Sequence, residues 1–382
     1  MGDLGLVSSA HQFLFGYNNG HSLLTGSREL RSATLVRLLG ATDAAMAPGS
    51  GPLVTGLALE ETGEFAFCVT WTAPEALRPG AVWAHALVVG EAQLRDPRAC
   101  DVLVGLPRRP SADASDLDTY GAPLPLDGAP ASPSYLPPAH LDLELLENLI
   151  STAYSPTDGI VVHQNLAAGA KALLLLWRAQ WPELRAGFSF RTRELARRGA
   201  SDFDLTVTGK IRGLDGYLPA PARSAAPAWV KAVVDDAASP TQTRLREFLW
   251  AFGPQEPRDL RRLRRLGALW VSVAAEDAPR ARAQLERYWP RPRSGAALKK
   301  ALFGRENIDW WRLDEATRVC TLLQATKPAW DLDELELADR ARALVEAAPP
   351  ARPLNPLPGH LPSAGGSALR EDVSPRATDP RL

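Results

Sequence analysis

The sequence predicts an α+β protein: a β-rich N-terminal module, an α/β middle region, an all-helical C-terminal region and a disordered tail. Three observations predict it. Period-two alternation dominates residues 8–108. Short apolar strands alternate with amphipathic helices over 139–222, and apolar residues recur at helical spacing through 225–347. Between the first two regions, 109–138 is rich in Pro, Ala, Ser, Asp and Gly and reads as a linker or a long surface excursion. Residues 348–382 carry few large apolar groups, too few to offset the entropy of ordering them.

In the N-terminal module, residues 12–16 (QFLFG) form a short aromatic strand. Asn18, Asn19 and Gly20 follow as a turn that tolerates positive φ, and 22–25 returns as a strand or begins a helix. Residues 32–39 (SATLVRLL) read as a helix capped by Ser32 or Thr34. Residues 53–59 and 64–71 flank the loop EETG and predict a hairpin. In its second arm Phe65, Phe67, Val69 and Trp71 alternate with Ala66, Cys68 and Thr70, so one aromatic face is buried. Residues 81–90 (AVWAHALVVG) form another strand. Val82, Ala84, Ala86 and Val88 share one of its faces, and Trp83, His85, Leu87 and Val89 the other.

The middle region opens with a helix over 141–152, its stripe formed by Leu143, Leu146 and Ile150. A strand at 160–163, a helix over 165–181 and strands at 187–192 and 203–208 complete it. Candidate helices then follow at 228–237, 241–252, 258–275, 278–288, 296–302, 308–323 and 331–347, enough for a small bundle or helical array.

Composition excludes several classes. The chain has 382 residues, of which 45% are hydrophobic and 23% charged, ordinary for a globular protein. Its net charge of −1 gives no global field toward nucleic acid or an anionic membrane. Cys68, Cys100 and Cys320 are odd in number and far apart, which gives neither a disulfide framework nor a CxxC metal site and fits the cytoplasm. The longest apolar run, ALLLLW at 172–177, is far short of a membrane span, and the N-terminus lacks the pattern of a secretory signal. No GxxxxGK[ST] or GxGxxG loop is present, so the chain is not itself a P-loop NTPase. No cofactor is expected.

Candidate chemistry centres on His21 and His85, since imidazole serves as acid, base or metal ligand near neutral pH. Tyr17, Asn18, Asn19, Ser22 and Thr70 would add polar groups to a shared pocket, and Trp83 would flank it. The plainer reading is that His21 caps a turn and His85 fills a sheet face beside Trp83. His11 is a third histidine, but a spacing of ten residues is no recognised metal pattern, so no metal is assigned. Cys68 with His85 imitates a thiol–imidazole dyad, against the simpler role of a small buried hydrophobe. Arg191 and Arg193 stand at a strand end where an anion or partner could dock, against ordinary salt bridges. Residues 258–266 (RDLRRLRRL) are the one concentrated basic stretch. Leu263, Leu266 and Trp270 form its buried stripe, and Arg258, Arg261, Arg262 and Arg265 fan over the solvent side, open to nucleic acid or an acidic partner. Trp310 and Trp311 suit a helical core or an interface hot spot.

The string FGYNNGHSLLTGS at 15–27 and the later WAHALV at 83–88 together resemble the type-one N-terminal domain of bacterial GTPase-associated proteins. In that family a Gly-Tyr, a turn, a Gly-His-x-Leu-Leu and later a His-Ala-Leu-Val recur in this order. PELR at 182–185 leading into FSFRT at 188–192 is similar to the middle region that often follows. Asn18 and Asn19 depart from the family, in which charged residues are common there. The resemblance implies association with a GTPase, encoded nearby, in a bacterial conflict or defence system, and carries no catalytic residue. The expectation is a non-enzymatic adaptor or regulatory subunit acting through protein contacts, with no membrane span. The alternatives are an enzyme with a polar pocket around His21 and His85, and nucleic-acid binding through the Arg258–Arg265 face, which the net charge disfavours.

Overall fold

A computed structural model describes residues 8–348, apart from 77, 129–132, 137–139, 155–158, 197–202, 212–225, 240, 242, 256–260, 306–309, 326 and 334. The tail that the sequence reads as disordered lies outside the described residues. The chain is an α+β protein in which the predicted elements recur in order, joined by others, at Glu91–Leu94, Pro97–Gly105, Leu124–Pro125 and Pro182–Gly187, that the sequence pattern does not predict. First come β1 (Ser9–Tyr17), β2 (His21–Gly26), α1 (Ser32–Thr42), β3 (Leu53–Leu59), β4 (Glu64–Thr72) and β5 (Val82–Gly90). Next are α2 (Glu91–Leu94), α3 (Pro97–Gly105), a 3-10 turn at Leu117–Tyr120 and β6 (Leu124–Pro125). The middle region supplies α4 (Leu143–Ala153), β7 (Ile160–Val162), α5 (Leu166–Ala179), α6 (Pro182–Gly187), β8 (Phe190–Ala196) and β9 (Leu205–Ile211). Then follow α7 (Ala228–Ala238), α8 (Arg244–Phe252), α9 (Arg261–Ala274), α10 (Ala278–Tyr288), α11 (Ala296–Phe303), α12 (Glu315–Leu323) and α13 (Leu337–Ala347).

The strands form one mixed sheet in the order β2-β1-β5-β4-β3-β8-β9-β7, with β6 paired to β1. The first five are antiparallel, as tight turns require, and β7, β9 and β8 are parallel, with α5 and α6 between β7 and β8 in the chain. The middle region therefore extends the N-terminal sheet, through Thr55 and Gly56 of β3 paired with Arg191 and Phe190 of β8. The stretch at 109–138 also returns to the sheet. Tyr120 and Leu126 are buried and Ser9 and Ala10 pair with Pro125 and Leu124, because apolar side chains inside the Pro-rich composition have a sheet face to cover.

Each strand sends alternate residues to two faces. The face bearing Val54, Phe65, Phe67, Val69, Leu87 and Val89 meets the helices. There Trp177 of α5 stacks on Phe65 with ring centroids 5.2 Å apart. This hydrophobic cluster runs without a break from the sheet through Leu173 and Val233 to Trp330 and Leu337. The opposite face bears Phe13, Phe15, Leu57, Ala66, Cys68, Ala84 and Ala86 and is covered by Leu35, Leu38 and Leu39 of α1.

Several local expectations shift. The N-cap of α1 is Arg31, which makes no side-chain cap, rather than Ser32 or Thr34. Leu146 and Ile150 are buried as the stripe predicts, with Leu145 and Leu149 beside them, but Leu143, the first residue after the Asp142 cap, is exposed. The helices read at 308–323 and 331–347 begin only at Glu315 and Leu337. Trp311 is core, with its indole N–H bonded to the Leu302 carbonyl (2.8 Å), and Trp310 packs on Phe248.

The helical half satisfies its helix ends with buried cations. Helix C-termini leave carbonyls without partners, and cations meet them favourably. Arg185 is fully buried and donates to the carbonyls of Leu94, Trp177, Arg178 and Gln180 and to the Cys100 sulfur. Lys299 Nζ donates to the carbonyls of Trp289, Arg291 and Ala329, and Arg340 to those of Phe303 and Leu335.

Candidate functional site

The segment at 11–27 is the β1–β2 hairpin. Its turn works because Asn19 (φ 55°) and Gly20 (φ 145°) adopt backbone that few L-residues accept. Gly16 is needed for another reason: a Cβ there would come within 2.4 Å of the Trp83 ring. Trp83 is itself buried, and its indole N–H donates to Glu75, which also receives Arg109.

His85 and His21 lie on opposite faces of the sheet. His85 pairs with Leu14 across β5 and β1, on the face where its ring meets Tyr120 edge-on at 4.9 Å. His21 stacks on Phe15 and bonds Thr42 of α1, on the other face. The shared pocket expected for the two histidines is therefore absent, because residue parity and strand register send them apart. The Cys68–His85 dyad fails for the same reason. Cys68 pairs with Ala86 rather than His85, sits in the α1-side cluster, and burial pushes its thiol up to about 12.

Both histidines hold structure together. Nδ1 of His85 accepts the Arg108 backbone N–H (3.1 Å), so the proton sits on Nε2, which donates to Gln12 Oε1 (3.1 Å). Gln12 Nε2 donates onward to the carbonyls of Thr119 (2.9 Å) and Ala122 (2.6 Å). One buried polar chain thus fastens residues 108–122 to β1 and β5, and burial holds His85 neutral by lowering its pKa to about 3. Thr42 gives its hydroxyl proton to the Leu38 carbonyl, so His21 Nε2 is the donor to Thr42 Oγ1 (2.9 Å). Burial lowers the His21 pKa.

What remains exposed of the motif is its tip, Tyr17, Asn18 and Asn19, with the Arg78 guanidinium 5.7 Å from the Tyr17 ring centre. Ser22 Oγ is buried and makes no hydrogen bond. At the far end of the hairpin the structure joins two residues that sequence reading left apart. Ser27 Oγ accepts the Gln12 backbone N–H (3.0 Å) and lies 3.2 Å from His11 Nδ1, whose pKa burial and then the Arg28 charge lower. A hydroxyl beside an imidazole has the parts of a nucleophile and base, but among the described residues His11 has no further hydrogen bond to orient it. The only signal in the sequence was that both residues bound the motif. Beside them lies a polar cavity of about 330 Å³ lined by Arg28, Arg31, Thr34, Glu61 and Glu64 among others, with Arg28 and Glu64 paired at 2.6 Å. Its mixed charges select no one sign of ligand.

The arginine candidates separate too. Arg191 and Arg193 lie within β8 rather than at its end, paired with Thr206 and Thr208 of β9, and Arg191 covers the Phe203 ring at 4.2 Å. Arg262 does not face solvent: it is buried and caps the Phe252 carbonyl at the end of α8 (2.6 Å). Arg261 is exposed, Arg265 is half-buried against Tyr288, and Arg258 lies outside the described residues. Trp270 is only half-buried, and Leu269 completes the inner stripe of α9. Among the described residues no three His, Cys, Asp or Glu converge to hold a metal, and no helix is long and apolar enough to cross a membrane.

The unit from β1 through α3 holds the paired glycine and histidine segments at its centre. Residues 9–106 match the family model of GTPase-associated protein 1, N-terminal domain type 1. That stretch of the chain is similar to this GTPase-associated domain. The matched unit begins with β1 and ends just after α3, so it comprises β2-β1-β5-β4-β3 with α1 packed on one face. The match stops short of 140–210, where the looser resemblance lies. No curated protein matches the chain.

Proposed function

We propose that the protein is a non-enzymatic adaptor or regulatory subunit that docks on a GTPase encoded nearby, in a bacterial conflict or defence system of the cytoplasm. The description of the matched domain names GTPase association. The observation that carries the reading is the division of labour inside the motif. Gln12, His21, Trp83 and His85 are committed to internal hydrogen bonds, whereas Tyr17, Asn18 and Asn19 are exposed. An exposed aromatic ring between polar neighbours on a rigid hairpin suits a protein contact, since such rings bury large area at small entropic cost. The test is binding of the full chain to the neighbouring GTPase, loaded with GDP or with a non-hydrolysable GTP analogue. Saturable binding that Tyr17→Ala with Asn18→Ala weakens at least about tenfold supports the reading. No binding in either nucleotide state overturns it.

A further inference from the structure

We propose that the arginine-rich end of the α9–α10 pair is a nucleic-acid-binding surface that takes the phosphodiester backbone of a single strand. The start of α9 and the end of α10 meet at Tyr288, where the guanidinium carbons of Arg265 and Arg287 stand 5.9 and 5.3 Å from one ring centre. Around this pair Arg264, Arg287, Arg291 and Arg293 are exposed and make no ion pair. Counter-charge along the two helices is sparse, although Glu256 and Asp259 precede α9 and Glu276 and Asp277 stand in the turn between α9 and α10. Residues 261–275 contain no acid, and 278–301 contain only Glu286. Glu286 is turned inward, accepting from the Trp330 indole (3.0 Å) and lying 3.9 Å from Arg282.

The near-zero net charge of the chain therefore averages over a strongly positive end of one helix pair, and recognition responds to the local field. The cations are arginines, whose planar forks match phosphate oxygens two at a time. Stacking on Tyr288 pre-orients two of them. A protein interface would need a broad apolar centre, and this face offers only the half-buried Tyr288 ring. The exposed large apolar residues are Tyr17, Val36, Leu143, Leu195, Leu323 and Val345, none on α9 or α10. A phosphodiester chain needs no apolar centre, and a flexible single strand can adapt its phosphates to the guanidinium groups and its bases to the Tyr288 ring. The surface differs from the one read along α9 alone, since Arg262 is inside and three of the four exposed cations come from α10 and the turn after it.

The test uses the full chain and fluorescence anisotropy of short labelled single-stranded DNA and RNA, the matching duplex, and poly-glutamate, each over a salt series. Saturable single-strand binding that R287E/R291E/R293E weakens by at least about tenfold supports the surface. The salt slope should then flatten by about 2, since each lost single-strand contact removes roughly 0.7. The control R95E/R98E changes two exposed arginines, one in the turn after α2 and one on α3, and should stay within about twofold. Circular dichroism checks that the variants fold. No saturable binding at the lowest salt, equal losses in the control, or preference for the duplex or for poly-glutamate overturns the proposal.

Discussion

The sheet module and the helical half handle buried polarity in opposite ways. In the sheet, backbone groups satisfy one another along the strands, and neutral side chains finish the job. His85 and Gln12 collect one N–H and two carbonyls from a returning loop. Among the helices, several ends leave carbonyls free, and buried cations collect them, some from a few positions along the chain and some from far away: Arg185, Arg262, Lys299 and Arg340. The difference teaches that a histidine or an arginine in this chain is first a structural donor. Chemistry or recognition belongs to the few that remain outside.

The largest test of that contrast is Arg185→Leu. It strands four carbonyls and a sulfur at once, so the loss should be about 3–5 kcal/mol in urea unfolding. A loss under about 1 kcal/mol would mean the cations are not what holds the helical half. In the sheet module, His85→Ala should cost about 2–3 kcal/mol, because it leaves Gln12 Oε1 and the Arg108 N–H unpaired. Limited proteolysis should then cut near 108–122 before anywhere else in the module.

An acid titration distinguishes the same residue by another route. Unfolded His85 gains a proton below about 6.5, while the folded imidazole stays neutral down to about 3. Its contribution is thus complete above pH 6.5 and is lost as pH falls toward 3, by up to about 1.4 kcal/mol per unit. The melting temperature of the wild type should fall through that window more steeply than that of His85→Gln; parallel curves would rule the histidine out as the cause. Gly16→Val, which drives a side chain into Trp83, should cost about 1–3 kcal/mol. The smallest effect on stability is expected for Tyr17→Ala, within about 0.5 kcal/mol, which makes its effect on partner binding interpretable.

Much of the fold was legible. The β3–β4 hairpin has the expected bounds to within one residue around its four-residue loop, α10 spans the expected residues, and β5 divides its side chains between two faces as its alternation requires. Periodicity and turn residues act over a few positions, so one segment contains the whole signal. Helix starts at Glu315 and Leu337 were less legible, since apolar residues upstream mimic the helical period while the chain is still approaching the bundle. Of the candidate site, the exposed Asn-Asn-Gly turn was readable from residue type. The partnerships of His11 with Ser27 and of His85 with Arg108 were not, because the residues joined are 16 and 23 positions apart.

By itself, then, the sequence determined the α+β class, the alternation of each strand and the signature of the GTPase-associated domain. These depend on neighbouring residues and their spacing. Only the tertiary structure decided that β8 extends the N-terminal sheet, that His21 and His85 face apart, and that Arg262 is buried while Arg287, Arg291 and Arg293 are exposed. The physical reason is that strand register and the solvation of a charge are set by what converges from distant parts of the chain. The motif at 11–27 consequently stands as a packed hairpin whose tip, rather than its histidines, meets the outside.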